Sequence, residues 1–193
     1  QLEKTISHIA THAHIDFRWR YLYNSETMST LSKHDIILHT IFMFFCDTEL
    51  EEITLKQWIG FCSILQIELS NFYISLLFKW SCSLGQTTLQ FADFVECLCR
   101  LCLLVPLPSE IECKDVQQKS AFIYLENERI SGRIREWEKK NYIHWTHTPS
   151  QSISDVLPRF IDYVDRKLRV ARNIQHFLSK KWNKWQDKII ENI

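Results

Sequence analysis

The sequence predicts an all-α fold, and three observations carry that expectation. Chain breakers are scarce, with 3 glycines and 4 prolines in 193 residues, which favours long helices over a loop-rich β architecture. Apolar residues recur at steps of three and four through most of the chain, the spacing of one helical face. A block of helix, loop and helix then returns 36 residues later. A hydrophobic fraction of 46% is enough to build a sizeable core.

The chain opens on ISHIATHAHIDFRWRYLY (6–23), which reads as helical, with Ile6, Ile9, Ala13, Phe17 and Leu22 near one side. His8, His12 and His14 crowd together there without an acidic third ligand, so a solvated or capping role is expected rather than a metal. The aromatic WRYLY end suits a latch against the following unit. Residues 1–32 are accordingly read as an N-terminal helical latch. No signal peptide is visible, and a first residue of Gln rather than Met suits a fragment.

The repeat covers residues 33–104. Leu38 falls on Ile74, Ile41 on Leu77, Phe42 on Phe78, Ile53 on Leu89, Leu55 on Phe91, Trp58 on Phe94, Phe61 on Cys97 and Leu65 on Leu101. Four helices follow. The first spans about 34–45, with Ser32 as cap and Asp35 in the capping-box position. The second spans about 56–67 and buries Trp58, Phe61, Cys62 and Leu65. The third, about 70–81, starts at a Ser70 cap and presents Phe72, Ile74, Leu77 and Phe78. The fourth, about 91–104, presents Phe91, Phe94, Val95, Leu98 and Leu101.

This unit resembles a pair of EF-hands of the calmodulin and centrin superfamily, over roughly half the chain. The resemblance implies that Ile53 and Leu89 pair in a short two-stranded ribbon and that Trp58 and Phe94 start the exiting helices. Calcium in such loops needs six to eight oxygens from positions 1, 3, 5, 7, 9 and 12, with glycine at position 6. In a loop over 46–57 those ligand positions read Cys46, Thr48, Leu50, Glu52, Thr54 and Gln57, with Glu51 in the place of glycine. In a loop over 82–93 they read Cys82, Leu84, Gln86, Thr88, Gln90 and Asp93, with Thr87 in that place. Neither carries the D-x-[DN]-x-[DN]-G signature, so loops that have lost their calcium ligands are expected, and no metal or cofactor. The acidic pair Glu51/Glu52 reads as surface charge.

The 7 cysteines are an odd number in helix-like, apolar settings, which points to buried free thiols and a reducing, cytoplasmic compartment. Cys97, Cys99 and Cys102 fall on different sides of one helix, so they do not form a zinc site. The runs IFMFFC and LCLLVPL are too short to cross a bilayer.

A Pro-bearing linker over 105–114 leads to a long helical extension over 115–193, read as two long helices. In the first, Ile123, Ile130, Ile134 and Trp137 make a narrow apolar stripe, weakened at Gly132. The second follows the break HTPSQS (147–152), with Ser152 or Ser154 as cap and Pro158 tolerable only within the first turn. Its apolar positions run from Val156 through Phe160, Val164 and Leu168 to Ile189, about nine turns and near 50 Å. Its far end carries Lys180, Lys181, Trp182, Lys184 and Trp185, a basic group interleaved with tryptophan that suits contact with an acidic protein surface such as tubulin.

Net charge is zero, which removes the global argument for nucleic acid. Residues 1–115 hold 8 basic and 14 acidic side chains, while 159–193 hold 9 basic and 4 acidic, so the tail has an acidic partner in prospect, either outside the chain or in its own body. No G-x-G-x-x-G, P-loop or G-x-S-x-G occurs, and no catalytic residue is nominated. The expectation is therefore a non-catalytic scaffolding module in a hetero-assembly, cytoskeletal or ciliary, with a membrane surface disfavoured. The resemblance implies a groove lined by Trp58, Phe61, Phe94 and Leu98 that grips an amphipathic helix, its own tail or a neighbour's. The alternatives are a calcium-responsive sensor and an accessory subunit of an enzyme complex.

Overall fold

The computed structural model describes residues 17–47, 49–141 and 151–190, with side chains through residue 173. The described residues are helical apart from turns and two isolated antiparallel bridges, Asp47 with Glu52 and Ile53 with Leu89. The fold is all-α.

A five-residue π-turn, Arg18–Leu22, leads into α1 (Ser25–Lys33). The Asn24 side chain caps α1, accepting from the Thr27 amide at 2.9 Å. This helix was not expected. Ser32, read as the cap of the next helix, lies inside α1, and α2 (Asp35–Phe45) starts after His34 with no side-chain cap. The sequence hides α1 because SETMSTLSK has little apolar periodicity and buries only Thr27. The part of the expected N-terminal helix over 6–16, with His8, His12 and His14, lies outside the described residues.

The repeat unit follows the expected order: α2, α3 (Leu55–Ile64), α4 (Asn71–Ser81) and α5 (Phe91–Cys102). Thr54 opens α3 in a reciprocal cap with Gln57, and Ser70 caps α4 through the Tyr73 amide. The positions 36 residues apart match in burial. Leu38 and Ile74, Ile41 and Leu77, Phe42 and Phe78, Trp58 and Phe94, Phe61 and Cys97, and Leu65 and Leu101 are all buried. Phe72 is a correction: it stands 65% exposed on the outer side of α4.

Beyond the repeat, the linker contains a one-and-a-half-turn helix, α6 (Glu110–Asp115), capped by Ser109 and burying Cys113. The expected first long helix is instead two short ones, α7 (Ala121–Ile130) and α8 (Ile134–Lys140). Gly132 at φ +75° makes the break, since the left-handed conformation ends a helix and costs glycine little. The stripe is lost with it. Ala121 and Leu125 face the core, while Ile130 is exposed.

The last helix, α9 (Ile153–Ile190), has 38 residues, about 57 Å at about 1.5 Å per residue. Ser152 caps it, accepting from the Asp155 amide and donating to the Asp155 carboxylate. Pro158 stands sixth in the helix, beyond the first turn, so the Ser154 carbonyl lacks its intrahelical donor. The first half of α9 packs against α1, α2, α3, α5 and α7. It buries Ile153, Leu157, Phe160, Ile161, Val164 and Leu168 in the same core cluster as the repeat. The extension thus folds back onto the body along its first half.

Candidate functional site

The two loops of the repeat meet back to back. Ile53 and Leu89 exchange both backbone hydrogen bonds, each 2.9 Å, and both side chains are buried. One residue before each, the Thr88 hydroxyl donates to the Glu52 carboxylate at 2.7 Å. Glu52 is therefore half-buried and engaged, not the free surface charge expected of it.

At three of the expected ligand positions, Glu52, Gln57 and Asp93, the side-chain oxygens accept from the chain's own donors, as does Asp47 beside the first position. The Gln57 side-chain carbonyl accepts from the Thr54 amide at 2.8 Å and its hydroxyl at 2.7 Å. Asp93 accepts from the Ser83 hydroxyl at 2.7 Å and from the Gln90 amide at 3.4 Å. The Asp47 carboxylate accepts from the amides of Glu49 and Leu50, and Leu50 itself is exposed. Glu51, in the place of glycine, holds φ +51°, the left-handed backbone that glycine would adopt without strain. The second loop makes its left-handed turn two residues earlier than that place, at Gly85 rather than at Thr87. Among the described residues no three His, Cys, Asp or Glu side chains converge as a metal cluster.

Trp58, Phe61, Phe94 and Leu98 are brought together and fully buried. Trp58 stacks on Phe61 at 5.2 Å between ring centroids, and Phe94 meets both edge-on. The indole N–H of Trp58 donates to the Ile74 carbonyl at 3.2 Å, which ties α3 to α4. These four residues form interior packing rather than an open groove. The helices that carry them, α3 and α5, have α9 of the same chain packed on them.

The seat of α9 has a polar lock that the sequence did not reveal. Tyr163 donates from its hydroxyl to the Leu65 carbonyl at 2.7 Å, at the C-terminal end of α3. Lys167 donates to the Gln66 and Glu126 side chains, 2.6 Å each. Gln66 holds φ +56° just past α3, and Arg129 bridges Glu126 to the Tyr163 hydroxyl. Burial alone would hold the Glu126 carboxyl up, but Lys167 and Arg129 outweigh it and bring its pKa below the usual value. Burial lowers the pKa of Lys167, and the bond to Glu126 offsets only part of that. Both pKa values move down, which favours the charged form of Glu126 and disfavours that of Lys167, the more deeply buried partner. No periodicity marks this cluster, since it joins three segments distant in sequence.

A second buried charge group lies on α5. Glu96 accepts from Arg100 at 2.8 Å and from Arg18 at 2.9 Å, and the Arg100 guanidinium lies over the Phe17 ring at 4.1 Å. It pins the start of the described chain to the repeat.

The cysteines are free, as expected, and are not activated. Burial pushes the Cys99 thiol up to about 12 and Cys82 to about 11, and Cys97 and Cys102 also rise, the opposite of a nucleophile's environment. No described helix is long and apolar enough to cross a membrane. The side chains of Lys180, Lys181, Trp182, Lys184 and Trp185 lie outside the described residues.

No family model matches the chain, and neither a curated protein nor a solved structure matches it.

Proposed function

We propose that this chain is a non-catalytic interaction module: an EF-hand-like pair that holds its shape without calcium, clasps the first half of its own α9, and presents the second half to other proteins. The observation that carries this reading is the course of α9. Among the described side chains its last deeply buried residue is Leu168, secured by the lock at Tyr163 and Lys167, and the helix continues to Ile190. Arg169 and Val170 already face solvent. With four turns seated and about six more to Ile190, α9 would serve as an arm on a mount.

The Ile53–Leu89 pairing, the Glu52–Thr88 bond and the left-handed Glu51 support the EF-hand-like part of the reading. Engagement of Glu52, Thr54, Gln57 and Asp93 with the chain's own donors supports calcium independence, because an ion would have to displace those bonds and still lack carboxylates. Buried free thiols support a reducing, cytoplasmic setting. The basic and tryptophan-bearing end of α9 suits an acidic lattice, with microtubules as the cytoskeletal or ciliary case.

Cosedimentation with assembled microtubules tests the arm. The wild type pellets with the polymer, and Lys180→Glu, Lys181→Glu and Lys184→Glu together weaken binding at least tenfold, on the order of 1 kcal/mol per charge near an acidic surface. Equal pelleting of both proteins, or of neither, overturns the tubulin assignment. Calorimetric titration with calcium tests the body: micromolar binding with a helical change would sink calcium independence.

A further inference from the structure

Among the described helices α8 (Ile134–Lys140) is the one that buries no side chain. Ile134 and Trp137 are half-buried against the core, and the Trp137 ring lies 5.9 Å from that of Tyr124 on α7. The helix starts without a side-chain cap and joins α7 through Gly132 at φ +75°. An element so lightly packed opens at a small part of the cost of unfolding the whole chain.

α8 forms one wall of a cavity of about 350 Å³, through Arg135, Glu138 and Lys139. The connector from α3 to α4 forms another wall, through Ile67, Glu68 and Leu69. Leu104, Val105 and Leu125 line the interior, and the cavity reaches Tyr163 and Arg129, two members of the lock on α9.

The two walls meet through like groups. The Glu138 carboxyl lies within hydrogen-bond reach of the Glu68 carboxyl. Two ionised carboxylates offer only acceptors, so this contact holds a proton between them. Burial first, and the Glu68 charge next, push the Glu138 carboxyl above its usual range, while Arg129 offsets part of the rise. The other charged or titratable groups facing Glu138 are Arg129 of α7, Tyr163 of α9, and Arg135 and Lys139 of α8 itself. Arg129 is engaged with Glu126 and Tyr163, with Lys167 behind them, and Arg135 and Lys139 are exposed. Arginine, lysine and tyrosine keep their protons in weak acid, so the carboxyl pair is what changes there.

We propose that α8 is a lid over this cavity, closed in weak acid by a proton shared between Glu138 and Glu68 and released when that proton leaves. On release the proton passes to solvent, the hydrogen bond is lost, and two carboxylates oppose each other. α8 then turns about Gly132, away from the connector, and water gains access to the Tyr163 and Arg129 side of the lock. The closed form holds the proton more tightly than the open form, in which Glu138 returns to its ordinary 4.5. Closure is therefore strongest below pH 4.5 and weakens as pH rises through the raised value of the closed pair. The lid operates whatever α9 binds.

Amide hydrogen exchange of the full chain, read by mass spectrometry from about pH 4.5 to about pH 7.5, tests the lid. After correction for the intrinsic pH dependence of exchange, protection of α8 falls by at least about threefold as pH rises, corresponding to closed and open pKa values about 0.5 apart. α5, at the centre of the repeat, keeps its protection throughout. Glu138→Gln and Glu68→Gln each put an amide N–H where the shared proton stood. Both variants therefore hold the acid level of α8 protection at every pH, with unchanged far-UV circular dichroism. A wild-type α8 whose protection is constant or absent over the range overturns the proposal. A fall that persists in both variants overturns it as well, because the carboxyl pair is then not the latch. An equal loss in α5 also overturns it, since the whole fold rather than a lid would be opening.

Discussion

Ile53 and Leu89 exchange two 2.9 Å backbone hydrogen bonds across loops that lie one repeat apart, and each is followed five residues later by a fully buried aromatic, Trp58 or Phe94. This pairing sets the two halves of the repeat in register. Each loop delivers its aromatic to the same shared core, where Trp58 and Phe94 meet at 6.4 Å between centroids.

Equivalent positions should therefore carry equivalent weight. Trp58→Ala and Phe94→Ala are each expected to cost about 3–5 kcal/mol, the range for emptying a buried aromatic site. Phe72→Ala should cost under about 0.5 kcal/mol, because its ring faces solvent. Urea denaturation of the three variants checks the ranking, and a large loss at Phe72 would show that the outer side of α4 is covered.

The second link between the loops is the Thr88–Glu52 bond at 2.7 Å. Thr88→Val and Glu52→Ala should each destabilise by about 1 kcal/mol, as charge-assisted bonds at half-buried sites do. The double variant should lose less than the sum, with a coupling of about 0.5–1 kcal/mol. Strict additivity in the cycle would mean that the bond contributes nothing.

Glu51 offers a test of the loop backbone itself. At φ +51° its side chain carries the left-handed penalty that glycine escapes. Glu51→Gly is expected to stabilise by up to about 1 kcal/mol, the relief of strain being partly offset by the freer unfolded chain. The same substitution at Thr87, whose backbone is not left-handed, should destabilise. Denaturation midpoints with unchanged slopes would distinguish the two.

What was legible in the sequence was whatever repeats locally. The eight position pairs, the Ser70 cap and a serine cap at 152 or 154, which the fold places at Ser152, are short-range patterns, and their physics is complete within a few residues. The outcomes at α1, Phe72 and Ile130 depend instead on which neighbours arrive from elsewhere. Phe72 fits the helical spacing as well as Ile74 does, yet no described element covers it. The lock on α9 was illegible for the same reason. Lys167 sits beside Leu168 in an apolar stripe and reads as an intruder until Gln66 and Glu126 are brought to it by the fold. The interior placement of Trp58, Phe61 and Phe94 follows from packing within the repeat, where Phe45 and Phe42 of α2 meet Phe61 and Phe94 and the Trp58 indole bonds Ile74 of α4.

That lock predicts an asymmetry between its two charges. Glu126→Gln leaves the buried Lys167 ammonium with neutral acceptors only, and is expected to cost about 2 kcal/mol, below the buried-pair range because Glu126 is partly exposed. Lys167→Met leaves Glu126 with Arg129 and should stay within about 1 kcal/mol of wild type. The pH dependence has a definite sign. A carboxyl whose folded pKa lies below its ordinary 4.5 contributes stability that is present above that value and lost as pH falls through the lowered one. Wild type should therefore lose more stability than Glu126→Gln on acidification below pH 4.5, and thermal melts of both across that window check it.

Pro158 sets the last test, because it lies where a helix least tolerates it. Standing sixth in α9, it removes the donor that the Ser154 carbonyl would otherwise bond, and its ring crowds that carbonyl. A proline inside a helix costs about 3 kcal/mol in full, but here it stands near the helix start and stiffens the unfolded chain, which offsets part of the loss. The half-buried ring also contributes packing beside Leu157 and next to Arg159, whose guanidinium donates to the Pro108 carbonyl at 2.8 Å. Pro158→Ala is expected to stabilise the fold by about 1 kcal/mol, read as a rise in the urea midpoint. If it destabilises instead, the proline is fixing the angle at which α9 enters the body. Combining it with Arg159→Ala would then show whether the Pro108 contact depends on that angle, since a coupled pair departs from additivity by more than about 0.5 kcal/mol.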